Sequence, residues 1–353
     1  MIDGARSAAF TIVVAFAYFF GLSARASAKL SDKVCRYEIV KAPFLRELKP
    51  LPRAPFSGAP DAAFAGQTFL ALYRDEATDR WHLVAWDSLT KQPRVLITQK
   101  GDAYGPLAPA PDGHRVAMMS AAKDGRAILV YDLATGALST IAFEKYALHL
   151  IPHDPIWDPT GKFLAVSLEG FIEAAILPRR VRVYEVQSGR RIRDTPPALD
   201  VELELWDREG LLVRRKMPKE PIDYDDPAYA YRFWRLASID AGPKALRSVP
   251  LRSPDGKIDL QRSRRGVQIR DGDSACLLEL DLGRDDPKPT DVTWLSGDRL
   301  LLSDKDGNTW LVDPRARRAQ PLADPDTGTG WFDGRDLVFH LRDGSFASAS
   351  IGP

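Results

Sequence analysis

Apolar and polar positions in this chain alternate with a period of two, in short runs such as Thr68–Tyr73, Phe163–Ser167 and Val181–Tyr184. Between the runs stand turn formers, among them Pro111-Asp112-Gly113, Thr135-Gly136 and Ser188-Gly189. Aromatic and β-branched residues bounded by Gly, Asp and Pro predict strands joined by tight hairpins. No helical periodicity follows the first 28 residues, so the body of the chain is predicted all-β.

The runs are copies of one phrase. Its clearest form opens at Pro111-Asp112-Gly113, passes through Val116–Ser120 and the Asp124-Gly125 turn, and ends in Tyr131-Asp132 and Thr135-Gly136. One glycine marks each copy: Gly66, Gly113, Gly161, Gly210, Gly256, Gly297 and Gly334, spaced 37–49 residues apart. That spacing is the length of a four-stranded β-propeller blade. Seven marks predict seven blades; six is the rival count, because the fourth and fifth copies are weak. The seventh copy ends after its third strand, which would leave a bare sheet edge. Val34–Lys41 reads as a lone strand before the first copy, and is expected to complete the last blade and close the ring. Pro43–Pro60 is then a linker, and 65–353 the propeller.

Residues 1–28 read as a secretory leader. Arg6 precedes the apolar run Ala8–Leu22, and Ala26-Ser27-Ala28 places cleavage before Lys29. The run is too short for a membrane anchor, and no later stretch is apolar enough to span. Export to a bacterial periplasm or beyond is therefore expected. Losing Asp3, Arg6 and Arg25 takes the net charge of +1 to about zero, which argues against nucleic-acid binding. The basic pairs Arg179-Arg180, Arg190-Arg191, Arg214-Arg215 and Arg264-Arg265 are interleaved with acids and read as solvated strand and turn positions. Cys35 and Cys276 are the two cysteines. A bridge would tie the amino-terminal strand to the body; nothing in the sequence brings them within bonding reach, so two separate buried cysteines is the favoured reading.

The Pro-Asp-Gly start, central Asp-Gly and Tyr-Asp-Leu-x-Thr-Gly end at 111–136 resemble the WD-type repeats of TolB-like periplasmic propellers. They are also similar to repeats in the propeller domains of prolyl-oligopeptidase-family enzymes. The resemblance covers about 65–350 and is strongest in the second and third copies. There is no amino-terminal α/β domain of the TolB kind and no hydrolase domain after the repeats, so neither a Tol-system role nor peptidase activity follows from it.

Catalytic chemistry is sparse. No Gly-x-Ser-x-Gly elbow is present, and five histidines leave little for a triad. His149, His153 and Asp154 form one cluster that could ligate a metal with help from other blades; hydrogen bonding within a loop is the simpler reading. Asp304–Asn308 lacks the Gly and Glu positions of a calcium loop and reads as a hairpin. The most distinctive insertion is Lys216–Tyr231 in the fourth copy, where Tyr224, Tyr229, Tyr231 and Trp234 crowd near Asp225 and Asp226. Aromatic-rich loops on a rigid scaffold are common binding elements; a loop that buries its own tyrosines is the alternative. A smaller insertion, Glu169–Arg180, could lie beside it. The expectation is an exported, monomeric, non-catalytic scaffold without a cofactor, binding a protein or peptide of the cell envelope through loops on one face. A metal-dependent lactonase-like or cyclase-like hydrolase, acting at the central channel, is the alternative, but the strands read as nearest the axis, Ala117–Met119, Leu164–Val166 and Leu300–Leu302, carry few acidic or histidine side chains. A sugar-binding module using exposed tryptophans is a third reading, although most of the eight tryptophans occupy repeating blade positions where packing is the default.

Overall fold

The computed structural model describes residues 35–350 except 46, 57–60, 88, 90, 123–124, 146–149, 173–174, 196–200, 217–230, 237–243, 247–250, 254–255, 264–265, 273, 281–291, 296–298, 305–307, 324–329, 334 and 342–344. The expected leader, 1–28, lies outside them, and no helix among the described residues is long and apolar enough to cross a membrane. The described strands form seven sheets, six of four strands and one of five. In chain order the sheets span Asp61–Lys100, Asp102–Lys145, Leu150–Asp194, Val201–Leu246, Leu251–Leu278, Val292–Pro321 and Gly330–Ser350. Neighbours in sequence pair antiparallel throughout each sheet.

The repeated phrase has a mechanical reading. Asp112 accepts the backbone N–H of His114 at 2.9 Å and a guanidinium bond from Arg115 at 2.7 Å, folding the chain tightly into the next strand. Gly113 follows with φ +71°, where a Cβ would stand 3.1 Å from the Cα of Gly66 in the equivalent turn of the first sheet. Only glycine takes that conformation and that approach freely. Asp132 then accepts from Ala134 and Thr135, both at 2.9 Å, and Gly136 turns the chain at φ +72°.

The second strand is buried on both faces in the first three sheets and at Leu300–Leu302 and Leu337–Phe339 of the last two, and Val116, Ala117, Met118 and Met119 have no exposed surface. A strand covered on both sides reads as a continuous apolar run. The clusters beneath these strands cross from sheet to sheet. Leu70, Leu83 and Trp81 pack with Val116 and Met118, Ile128 and Val130 pack with Leu164 and Val166, and Val181 and Val183 pack with Leu211 and Val213. The first and seventh sheets share Phe69, Trp86, Val338 and Phe346, with the Phe69 and Phe346 rings edge to face at 5.1 Å.

The first strands of consecutive sheets lie against one another, Asp61–Ala65 on Asp102–Pro109 and that on Leu150–Trp157. They, and not the second strands Ala117–Met119, Leu164–Val166 and Leu300–Leu302, stand nearest the axis. The apolar run marks the strand with most cover, which is one place further out.

The amino-terminal part of the chain completes the last sheet, but through Lys49–Pro50 and not through Val34–Lys41 as the sequence predicts. Cys35 is disulfide-bonded to Cys276 on the outer strand of the fifth sheet, with Cα atoms 4.6 Å apart, so the two are not separate buried cysteines. Tyr37 N–H then donates to Leu277 at 3.1 Å. Glu38–Ile39 adds parallel to the outer strand Arg318–Pro321 of the sixth sheet. Lys49–Pro50, in the expected linker, pairs with Phe346–Ser350 and supplies the seventh sheet's fourth strand. Anchored at Cys276, the segment from Cys35 to Ile39 is taken up by the fifth and sixth sheets. Residues 35–51 thus form a strap along the outer edges of three sheets.

Phe56, where the strap approaches the first sheet, stacks on His82 at 3.9 Å. His82 is 7% exposed, and its Nδ1 lies 2.8 Å from Thr98 Oγ1. Burial lowers its pKa, with Arg80 acting in the same sense and Asp75 against it. A depressed folded value means the unfolded chain binds the proton first, so this contribution to stability is complete above about pH 6.5 and is lost as pH falls below it. Thermal midpoints measured from pH 8 to 5 should decline on the acid side more steeply for the wild type than for His82→Gln. Parallel profiles would remove His82 as the cause.

Candidate functional site

The third and fourth sheets present the candidate site. Phe163, at the start of the third sheet's second strand, stacks on Trp206 near the end of the fourth sheet's first strand, at 6.5 Å. Leu203 N–H donates to the Ser167 hydroxyl at 3.0 Å. The two strands therefore run in opposite senses, which puts Gly170 and Val201 at one end of the molecule. Leu150 pairs with Gly170 there, and Val201 pairs with Arg215. The next pair, Lys216 with Tyr231, bounds the fourth-sheet insertion. Leu150, the Gly170–Leu177 pair and the Lys216–Tyr231 pair thus share one end of two adjacent sheets.

The predicted site residues divide as follows. Tyr224, Asp225, Asp226, Tyr229 and His149 lie outside the described residues. Tyr231 and Trp234 are strand positions, opposite Lys216 and Val213. His153 pairs with Ser167 beside an irregularity that ends at Ile156. Asp154, within it, is exposed at φ +48°, a conformation that Asp tolerates better than most residues. No group of three His, Cys, Asp or Glu side chains able to hold a metal occurs among the described residues. Asp304 is a hairpin staple, accepting from Asn308 N–H and Trp310 Nε1 at 2.9 Å each.

Sequence reasoning missed a charged joint between the second and third sheets. Arg182 is 5% exposed. Its Nε and one Nη each lie 2.7 Å from an oxygen of Asp194, and the other Nη lies 2.6 Å from Glu144 across the joint. Tyr184 O–H also donates to Glu144. Burial, reinforced by that bond, raises the Tyr184 pKa, so the hydroxyl stays protonated as a donor. Arg126 directly opposes Glu144 in the second sheet. At the other end of the same joint Arg115 bonds Gly161 O at 2.9 Å and lies over the Trp157 ring at 4.9 Å. The only sequence trace of this network is the Arg-x-Arg spacing at 180 and 182; its carboxylates come from other strands.

Seven antiparallel sheets whose first strands gather at the centre are the architecture of a β-propeller, and solved structures agree. The β-propeller domain of the Trilobed protease from Pyrococcus furiosus, described as having an open velcro topology, matches at 15% identity with TM-score 0.53, over 85% of this chain and 97% of its own. Oligogalacturonate lyase, solved with manganese, matches at 12% identity with TM-score 0.55, over 89% of this chain and 98% of its own. TolB from Acinetobacter baumannii matches at 16% identity with TM-score 0.43, over 72% of this chain and 62% of its own. The chain thus spans less than two thirds of TolB. No protein-family model matches the sequence, and no curated protein does. The likenesses to the protease's propeller domain and to the lyase define a fold and leave the chemistry to the residues.

Proposed function

We propose that this chain is an exported, non-catalytic propeller, closed as a seven-bladed ring, that binds a protein or peptide of the cell envelope at the loop end of its third and fourth sheets. The observation that carries the reading is the gathering of three departures from the repeat at one end of two adjacent sheets. Rigid sheets fix the positions of such segments, so their sequences can vary for recognition without altering the core. The Cys35–Cys276 bridge supports export, because disulfides persist in oxidising compartments.

The alternative, a metal-dependent hydrolase, draws support from the axis-proximal strands. These carry Asp61, Asp102, His153, Asp154, Glu202 and Glu204, more acidic chemistry than the second strands suggested. One preparation tests both readings. Deleting Pro218–Ala228 should keep the thermal midpoint within a few degrees and abolish crosslinking to envelope proteins, while the wild type carries no stoichiometric metal after dialysis. A tightly held metal would overturn the scaffold reading in favour of the hydrolase, and a collapse in stability would make the insertion structural.

A further inference from the structure

Arg182 takes up its two carboxylate partners in full, and the guanidinium beside it is differently placed. Arg180 sits two residues earlier on the same strand, and side chains two apart share a face. That face carries Arg182 and Tyr184 toward Glu144, so Arg180 also faces the second sheet. It is half-buried, and its Nε is shielded from solvent with no hydrogen-bond partner. Buried guanidinium nitrogens are rarely left so, because the donor has lost water without gaining an acceptor. The solvated role expected of the Arg179-Arg180 pair therefore fails at Arg180, while Arg190 and Arg191 are exposed as expected.

The carboxylates described at this joint are taken up elsewhere. Glu144 and Asp194 face it beside Arg180, and both are bonded to Arg182. Arg191 adds a further positive charge at the outer rim, 3.7 Å from Asp194. Arg180 also closes the 169–180 hairpin, at the same end of the sheet as the proposed binding loops.

We propose that this joint receives a carboxylate from an acidic segment of the bound partner, with Arg180 as its principal ligand. A guanidinium fork matches a carboxylate in two parallel bonds, and the hydrogen bonds are charge-assisted. The inference rests on the partner-binding reading and names the chemistry of that partner. A fluorescein-labelled hexaglutamate peptide, titrated at low salt with anisotropy as readout, tests it. Saturable binding is expected, weakened about tenfold or more by Arg180→Gln, unchanged by Arg270→Gln on the exposed face of the fifth sheet, and displaced by citrate in preference to sulfate. Should Arg180→Gln fail to fold, Arg180→Lys retains the charge without the fork and should still lose affinity several-fold. Absent binding, an equal loss in Arg270→Gln, or displacement by sulfate as readily as by citrate would each overturn the assignment. Crosslinking to a partner that survives Arg180→Gln overturns this inference alone and leaves the loop-end reading standing.

Discussion

Cys276→Ser should lower the thermal midpoint by about 10 °C. The bridge joins residues 241 positions apart, so it removes a very large loop from the freedom of the unfolded chain. In the chain-entropy picture a closure of that length contributes about 5 kcal/mol, and measured losses for native bridges run at about 2–5 kcal/mol. For a domain of this size each kcal/mol moves the midpoint by about 2–4 °C. The loss also has a place. With Cys35 released, the strap is held by the short pairings of Glu38–Ile39 and Lys49–Pro50, by backbone bonds from Tyr37, Phe44, Leu45 and Leu51, and by the packing of those four side chains. Amide exchange should therefore quicken first at Tyr37, Glu38 and Val40, whose N–H groups donate to Leu277, Arg317 and Ala319. An unchanged midpoint in the variant and in reductant-treated wild type would show that the strap is held without the bridge.

Arg182→Met should cost about 3–5 kcal/mol, because it strands two carboxylates in the second-to-third joint. Glu144 and Asp194 have side chains only 16% and 25% exposed, so neither recovers full hydration when the guanidinium leaves. The cost belongs to the broken network and not to the net worth of the ion pairs. The triple replacement Arg182→Met, Glu144→Gln, Asp194→Asn should accordingly regain most of the stability, read as denaturant midpoints at unchanged slope. A single variant as stable as the wild type, or a triple variant no better than the single, would contradict the assignment.

Strands and hairpins were legible because they depend on near neighbours. Asp112, Gly113, Asp132 and Gly136 act within a few residues of themselves, and their spacing betrays the turn wherever it recurs. The tryptophans expected to pack do so in part: Trp81, Trp86 and Trp157 are buried, while Trp206, Trp294, Trp310 and Trp331 are half-buried. The closing strand was misplaced for the opposite reason. Val34–Lys41 and Lys49–Pro50 are both short extended pieces, and which sheet edge each meets depends on where Cys35 is anchored. The axis was misjudged because hydrophobicity reports cover, and cover is greatest one strand away from the centre.

The candidate site divides along the same line. Its departures from the repeat, at 149–154, 169–180 and 216–231, stand out in the sequence as interruptions of a period. The strand ends that bound them share one end because Phe163–Ser167 and Leu203–Trp206 approach antiparallel. By itself the sequence determined the β-propeller repeat and its turns, because those forces act over a few residues. The tertiary structure decided the disulfide, the strap, the axis and the Arg180–Arg182 joint, because each joins groups from separate sheets whose distance only the packing of those sheets sets.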